Sequence, residues 1–92
     1  MQITLRYYAA AQAAAGRAEE SLSAPDGASL ADALEAALAV VRVPVSAGPG
    51  APPLAEVLRR CSFLVNEVAV RDRAGVLADG DEGDVLPPFA GG

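Results

Sequence analysis

The sequence predicts an α+β fold, a small mixed sheet packed on one main helix, and three observations predict it. Residues 1–8 alternate apolar and polar, as a half-buried strand does. Residues 29–41 repeat large apolar side chains at helical spacing behind a capping signal. Residues 62–86 hold three short apolar runs separated by turn residues.

In the first strand Ile3, Leu5 and Tyr7 share one face, and Gln2, Thr4, Arg6 and Tyr8 share the other. Residues 9–15 are alanine-rich and helix-prone, and Gly16 is a natural stop. Residues 17–23 alternate weakly, with Leu22 the only large apolar residue, and read as a second strand returning from the first like a hairpin arm. Ala24-Pro25-Asp26-Gly27 is a turn. Ser29 then caps the main helix, Asp32 takes the capping-box position, and Leu30, Leu34, Leu38 and Val41 form its core stripe. A stripe of this period is packing surface, and no binding role attaches to it.

Proline and glycine forbid regular structure in residues 43–53, which are expected to form a mobile loop. Pro53 suits the first position of a short helix over 54–60, with Leu54, Val57 and Leu58 inward. Residues 62–65 and 68–71 read as strands around a turn at Asn66-Glu67, and residues 72–83 are polar and turn-rich apart from Val76 and Leu77. A final strand covers 84–86. The first and last strands are more apolar than the second, which places them together at the sheet centre. The expected organisation is one domain, 1–86, with a flexible tail, 87–92, leaving from the middle of the sheet.

A chain of 92 residues is one small domain near the lower size limit for a self-sufficient core. Of its 48 apolar residues 21 are alanine and four aromatic, so large buried side chains are few. Twelve acids against seven arginines give a net charge of −5, which argues against a nucleic-acid surface and for basic partner sites. Lysine is absent, so the chain cannot be polymerised through its own side-chain amines. One cysteine makes no internal disulfide, and no signal peptide or long apolar run is visible, so a cytoplasmic protein without membrane contact is expected.

The absence of histidine removes Ser-His-Asp triads, Cys-His pairs and histidine-bound metals, and with them most hydrolase readings. Neither the dinucleotide fingerprint nor the P-loop pattern occurs, so no bound cofactor is expected. Cys61, with only Arg59 and Arg60 near it in sequence, reads as a small core residue. The run 79–84, Asp-Gly-Asp-Glu-Gly-Asp, resembles a calcium loop but lacks glycine at the sixth position and a glutamate at the twelfth. It reads as a solvated acidic turn, with a second expected role as a collar beside the tail that steers it to a basic site.

The tail is the most informative stretch. Pro87 and Pro88 end any sheet pairing and project an extended arm, Phe89 and Ala90 follow, and Gly91 and Gly92 carry no side chain to block a narrow slot. A frayed end or cloning scar would also finish in glycines, but would not follow a strand and a Pro-Pro-Phe anchor without a polar spacer. The carboxylate of Gly92 is therefore the candidate reactive group. Tyr8 and Leu86, on the outer face near the root of the arm, are candidate partner contacts, although Tyr8 could equally cover the sheet edge.

Three segments resemble the ThiS/MoaD sulfur-carrier family: Thr4-Leu5-Arg6-Tyr7-Tyr8-Ala9-Ala10-Ala11, the turn Leu77-Ala78-Asp79-Gly80-Asp81-Glu82, and the ending Pro87-Pro88-Phe89-Ala90-Gly91-Gly92. With Leu58-Arg59-Arg60-Cys61-Ser62-Phe63-Leu64 they are most similar to its molybdopterin synthase small subunits of actinobacterial type. The resemblance implies a β-grasp, ubiquitin-like fold. It implies that Gly92 is adenylated by an ATP-using activating adenylyltransferase (MoeB-like), receives sulfur from a donor protein as a thiocarboxylate, and passes it to cyclic pyranopterin monophosphate. Catalytic residues are then expected on the large synthase subunit (MoaE-like), into which Pro87, Pro88, Phe89, Ala90 and Gly91 insert.

Two features depart from the family pattern. Gly83 stands where an apolar residue usually enters the last strand, so a late start or a bulge is expected there, and the 43–53 loop is long and proline-rich. The same terminus would also suit a carrier for thiazole or cysteine biosynthesis, a ubiquitin-like modifier of lysines, or a module whose tail only docks.

Overall fold

A computed structural model of the chain describes residues 1–40 and 53–88. The elements run β1 (Gln2–Tyr7), α1 (Ala9–Ala15), β2 (Glu19–Ser23), α2 (Leu30–Ala39), α3 (Leu54–Arg60), β3 (Ser62–Val65), β4 (Val68–Val70) and β5 (Glu82–Leu86). The strands form one sheet in the order β2-β1-β5-β3-β4. β1 and β5 pair in parallel at its centre, and every other pairing is antiparallel. This is the mixed sheet expected of a β-grasp domain, with the first and last strands adjacent.

The alternation in β1 buries Ile3, Leu5 and Tyr7 against Val85 of β5, Phe63 of β3 and the inward faces of all three helices. The other sheet face stays open. Alanine contributes to this core more than its size suggests: Ala11, Ala15, Ala33 and Ala37 are wholly inaccessible to solvent. Their small side chains let α1 and α2 approach the sheet closely, which is how a chain with few large apolar residues closes its interior.

α2 begins as read. The Asp32 backbone N–H donates to Ser29 Oγ at 3.2 Å, and the Ser29 N–H donates to Asp32 Oδ2 at 3.0 Å. The expected stripe holds for Leu30 and Leu34 but not for Leu38, which is 44% exposed. Successive i,i+4 steps advance about 40° around a helix of 3.6 residues per turn, so the buried face follows Leu30, Ala33, Leu34 and Ala37 instead. Val41 and the 43–53 loop, apart from Pro53, lie outside the described residues. Pro53 sits at the N-cap of α3, its carbonyl accepting from the Glu56 and Val57 N–H groups at 3.0 and 3.1 Å.

The last strand corrects the reading at Gly83. β5 starts two residues earlier than expected, at Glu82, and its register runs without a slip through Gly83, paired with Leu5 on one side and Val65 on the other. There is neither a late start nor a bulge. The space an apolar side chain would fill is taken by Leu5, whose Cδ2 lies 2.9 Å from where a Cβ on Gly83 would stand.

The segment preceding β5 is also more ordered in its bonding than a polar loop. The N–H groups of Leu30 and Ala31 donate to the carbonyls of Gly75 and Arg73, and the Leu77 N–H donates to the Ala28 carbonyl. Arg73 donates from Nη2 to the Leu58 carbonyl at 3.1 Å, closing the end of α3, and its guanidinium lies 4.6 Å from the centre of the Phe63 ring. At the β3–β4 hairpin Asn66 and Glu67 both have positive φ, 49° and 69°. That is the backbone hand that matches strand twist in a two-residue turn.

Candidate functional site at the end of the central strand

The parallel register Tyr7 to Val85 makes Tyr8 and Leu86 the next opposed pair, and the Tyr8 N–H donates to the Val85 carbonyl at 3.3 Å. Tyr8 is 42% exposed, and Leu86 is half-buried. On its other side Leu86 pairs with Ser62 of β3. The two proposed contact residues thus stand side by side where the chain leaves the sheet. β5 ends at Leu86, since neither proline that follows has an N–H to donate. Pro87 is half-buried and Pro88 exposed. Phe89, Ala90, Gly91 and Gly92 lie outside the described residues.

Across the same two strands, the open face carries an ionic ladder that was not read from sequence. Arg6 reaches Glu82 with Nη2 to Oε2 at 2.6 Å, and Asp84 with Nε to Oδ1 at 3.2 Å. The second contact is an ion pair without hydrogen-bond alignment, since neither Arg6 Nε nor Asp84 Oδ1 has a hydrogen-bond partner. The signal existed: Arg6, Glu82 and Asp84 share the outward phase once β1 and β5 are paired in parallel.

A second polar contact lies on the buried side. The Tyr7 hydroxyl donates to Glu20 Oε1 at 2.5 Å, and Arg17 Nη1 stands 3.7 Å from Glu20 Oε2. Glu20 is the only charged residue among the described buried set. Its alternation in phase with Leu22 marked it as inward-facing.

The acidic turn has the structural role expected of it and lacks the steering position. Asp79 Oδ1 accepts from the Gln2 N–H at 2.7 Å, while Asp81 accepts from the Ala78 N–H at 2.8 Å and from Asn66 Nδ2 at 2.9 Å. Asn66 Oδ1 in turn accepts from the Glu82 N–H at 3.0 Å. These bonds stitch the start of β5 to β1 and to the β3–β4 hairpin. They lie at the opposite end of β5 from Leu86, about 13 Å away at strand rise, so among the described residues Asp79 and Asp81 do not border the root of the tail, and Asp84, nearer to it, is paired with Arg6.

Cys61 is a core residue, as read. It is buried, and its S–H donates to the Val57 carbonyl at 3.1 Å. Burial pushes its thiol pKa up, against the smaller opposing effect of Arg73, so the nucleophilic thiolate is disfavoured. Among the described residues no cluster of three or more His, Cys, Asp or Glu could hold a metal, and no helix is long and apolar enough to cross a membrane. What these residues build is a platform from which the chain leaves the sheet at Leu86, beside Tyr8.

Comparison with known proteins agrees with this picture. The sequence profile of the ThiS family matches residues 5–92. The chain is 33% identical over 93 residues to a molybdopterin synthase sulfur carrier subunit of Chlamydomonas reinhardtii, covering the whole of both. Among solved structures it superposes on SAMP1 from Haloferax volcanii with a TM-score of 0.71 at 22% identity, each chain fully covered. Subunits 1 and 2 of the molybdopterin-converting factor of Helicobacter pylori have been solved as a complex, and a chain of it matches with a TM-score of 0.62 at 25% identity, again over the whole of both chains.

Proposed function

The chain belongs to the ThiS family, and from that premise we propose that it is a sulfur carrier whose Gly92 bears a thiocarboxylate and donates its sulfur in molybdopterin synthesis. The observation that carries this reading is the 33% identity, over the full length of both chains, with a molybdopterin synthase sulfur carrier subunit. The geometry supports it: the segment leading to Gly92 leaves the central strand of a bonded platform, flanked by an exposed Tyr8 and a half-buried Leu86.

The chemistry follows from the poor reactivity of a carboxylate. A resonance-stabilised carboxylate resists attack, so an oxygen of Gly92 first attacks the α-phosphorus of ATP on an activating adenylyltransferase and displaces pyrophosphate. The mixed anhydride has AMP as leaving group. The terminal sulfur of a donor-protein persulfide then attacks the carbonyl carbon and AMP departs, giving an acyl disulfide; a thiol next attacks the donor's sulfur, forms a disulfide with it and releases the thiocarboxylate. ATP belongs to the activating enzyme, and this chain supplies the acyl group and no catalytic side chain.

In the transfer step, residues 1–86 act as the docking body and 87–92 as the arm. Pro87 and Pro88 launch it, Phe89 and Ala90 seat it, and Gly91 and Gly92 pass through a slot that admits only backbone. Tyr8 and Leu86 contact the partner at the mouth of that slot. The partner is the large subunit of molybdopterin synthase, which holds cyclic pyranopterin monophosphate and the catalytic residues. The Helicobacter pylori complex of subunits 1 and 2 supports such a pairing.

Reconstitution tests it. With activating enzyme, sulfur donor and large subunit present, deleting Gly92 or adding one residue after it should abolish product while leaving the circular dichroism spectrum and melting temperature unchanged. Undiminished product from either variant contradicts the proposal. Transfer to a different acceptor, with none to the pyranopterin, would move the carrier to another pathway.

A further inference from the structure

The sheet ends on β4, and β4 carries none of the devices that keep an edge strand from pairing. Val68-Ala69-Val70 holds no charge, no proline and no bulge, and its register on β3 is unbroken. Val68 is 67% exposed, while Val70 packs partly on the core. The opposite edge differs: the exposed side chains of β2, Glu19, Ser21 and Ser23, are all polar.

The free edge has a defined phase. The Asn66 N–H donates to the Glu82 carbonyl of β5, so the main-chain groups of Ser62 and Leu64 also face β5, and those of Phe63 and Val65 face β4. Val70 and Val68 are their partners, which leaves the N–H and C=O of Ala69 pointing off the sheet. About that residue the segment Glu67-Val68-Ala69-Val70-Arg71 is self-complementary in the antiparallel sense. A second copy turned by a two-fold axis at Ala69 exchanges both main-chain bonds with its counterpart. Val68 then lies opposite Val70 of the second copy, in a non-hydrogen-bonded pair whose side chains approach closely, and Glu67 lies opposite Arg71 at both ends. Glu67 and Arg71 are exposed and have no ion-pair partner among the described residues.

We propose that the free edge of β4 pairs two copies of this chain in an isologous dimer, joining their five-stranded sheets into one. The occupant is fixed by the match of the segment to itself: valine against valine, Glu67 against Arg71 twice, and the outward main-chain groups in phase. The contact is short, so the dimer is weak and concentration-dependent. β4 and β5 both run antiparallel to β3, so the two-fold axis points the two Leu86 ends in opposite directions, on strands about 24 Å apart. Tyr8 and Leu86 stay uncovered, and the inference holds whether or not Gly92 carries sulfur.

The test is sedimentation equilibrium of the full chain alone, from about 10 μM to about 1 mM. The mass should rise from 9.3 kDa toward its double as concentration increases. Glu67→Arg or Arg71→Glu sets two like-charged pairs across the axis and should weaken the dimer by roughly tenfold or more. Glu67→Arg combined with Arg71→Glu restores both pairs and should return to within about threefold of the unaltered chain. Ala69→Pro removes both central N–H donors without touching the β3 ladder, and should leave a folded monomer by circular dichroism. A chain that stays monomeric at the highest concentration, a dimer that the single charge reversals leave unchanged, or a double reversal as weak as the singles overturns the inference.

Discussion

Gly83 and Leu5 share one volume. They are opposed in the parallel pair, and a Cβ on Gly83 would fall 2.9 Å from Leu5 Cδ2, in a core where Leu5 has no exposed surface into which to rotate. Gly83→Ala should therefore destabilise the domain by about 1 kcal/mol, overpacking outweighing the backbone entropy that alanine saves. Leu5→Val removes the obstructing methyl, and chemical denaturation of the double variant should show a loss smaller than the sum of the singles.

Tyr7 and Glu20 form the polar contact of the interior. Removing the hydroxyl with Tyr7→Phe deletes one hydrogen bond to a buried carboxylate and should cost about 1.5–3 kcal/mol in urea denaturation. Glu20→Gln keeps an acceptor for the hydroxyl and should cost less.

Cys61 is expected to take no part in sulfur handling. With its thiol buried, bonded to Val57 and raised in pKa, it should react slowly with iodoacetamide at neutral pH until the protein is unfolded. Cys61→Ala should load sulfur at Gly92 at the unaltered rate. A loss of loading in a folded variant would make Cys61 a relay.

The cap of α2 sets one acid-side dependence. The Ser29 backbone N–H, and then its hydroxyl, hold the Asp32 carboxyl below the ordinary carboxylate pKa. A depressed pKa means that the folded state binds the proton less readily than the unfolded state, so this stabilisation is present above the unfolded pKa and is lost as pH falls through the folded one. Asp32→Asn should accordingly flatten the acid limb of a melting-temperature profile and leave its slope near neutrality unchanged.

Much of the fold was legible because its signals are local. The alternation of Ile3, Leu5 and Tyr7, the Ser29–Asp32 box and the Gly16 stop each depend on a few neighbouring residues, and each stands as read. Leu38 and Gly83 were misread because their surroundings are set by distant chain. Leu38 follows the drift of a helix relative to its sheet, and Gly83 is explained by a side chain 78 positions earlier. The ladder of Arg6 with Glu82 and Asp84 likewise appears only once β1 and β5 are paired. At the candidate site, sequence identified Tyr8 and Leu86 singly, and the parallel register brought them together. The acidic turn showed the reverse: its composition was plain, but its distance from Leu86 depended on strand direction.

The most direct measurement is the intact mass of the chain after incubation with the activating enzyme, ATP and a sulfur donor, with fragmentation to locate any change. The carrier account requires a gain equal to the difference between sulfur and oxygen, confined to Gly92 and absent when ATP is omitted. An unchanged mass under conditions that load a known family member, or Gly92 joined instead to lysines of other proteins, would contradict it.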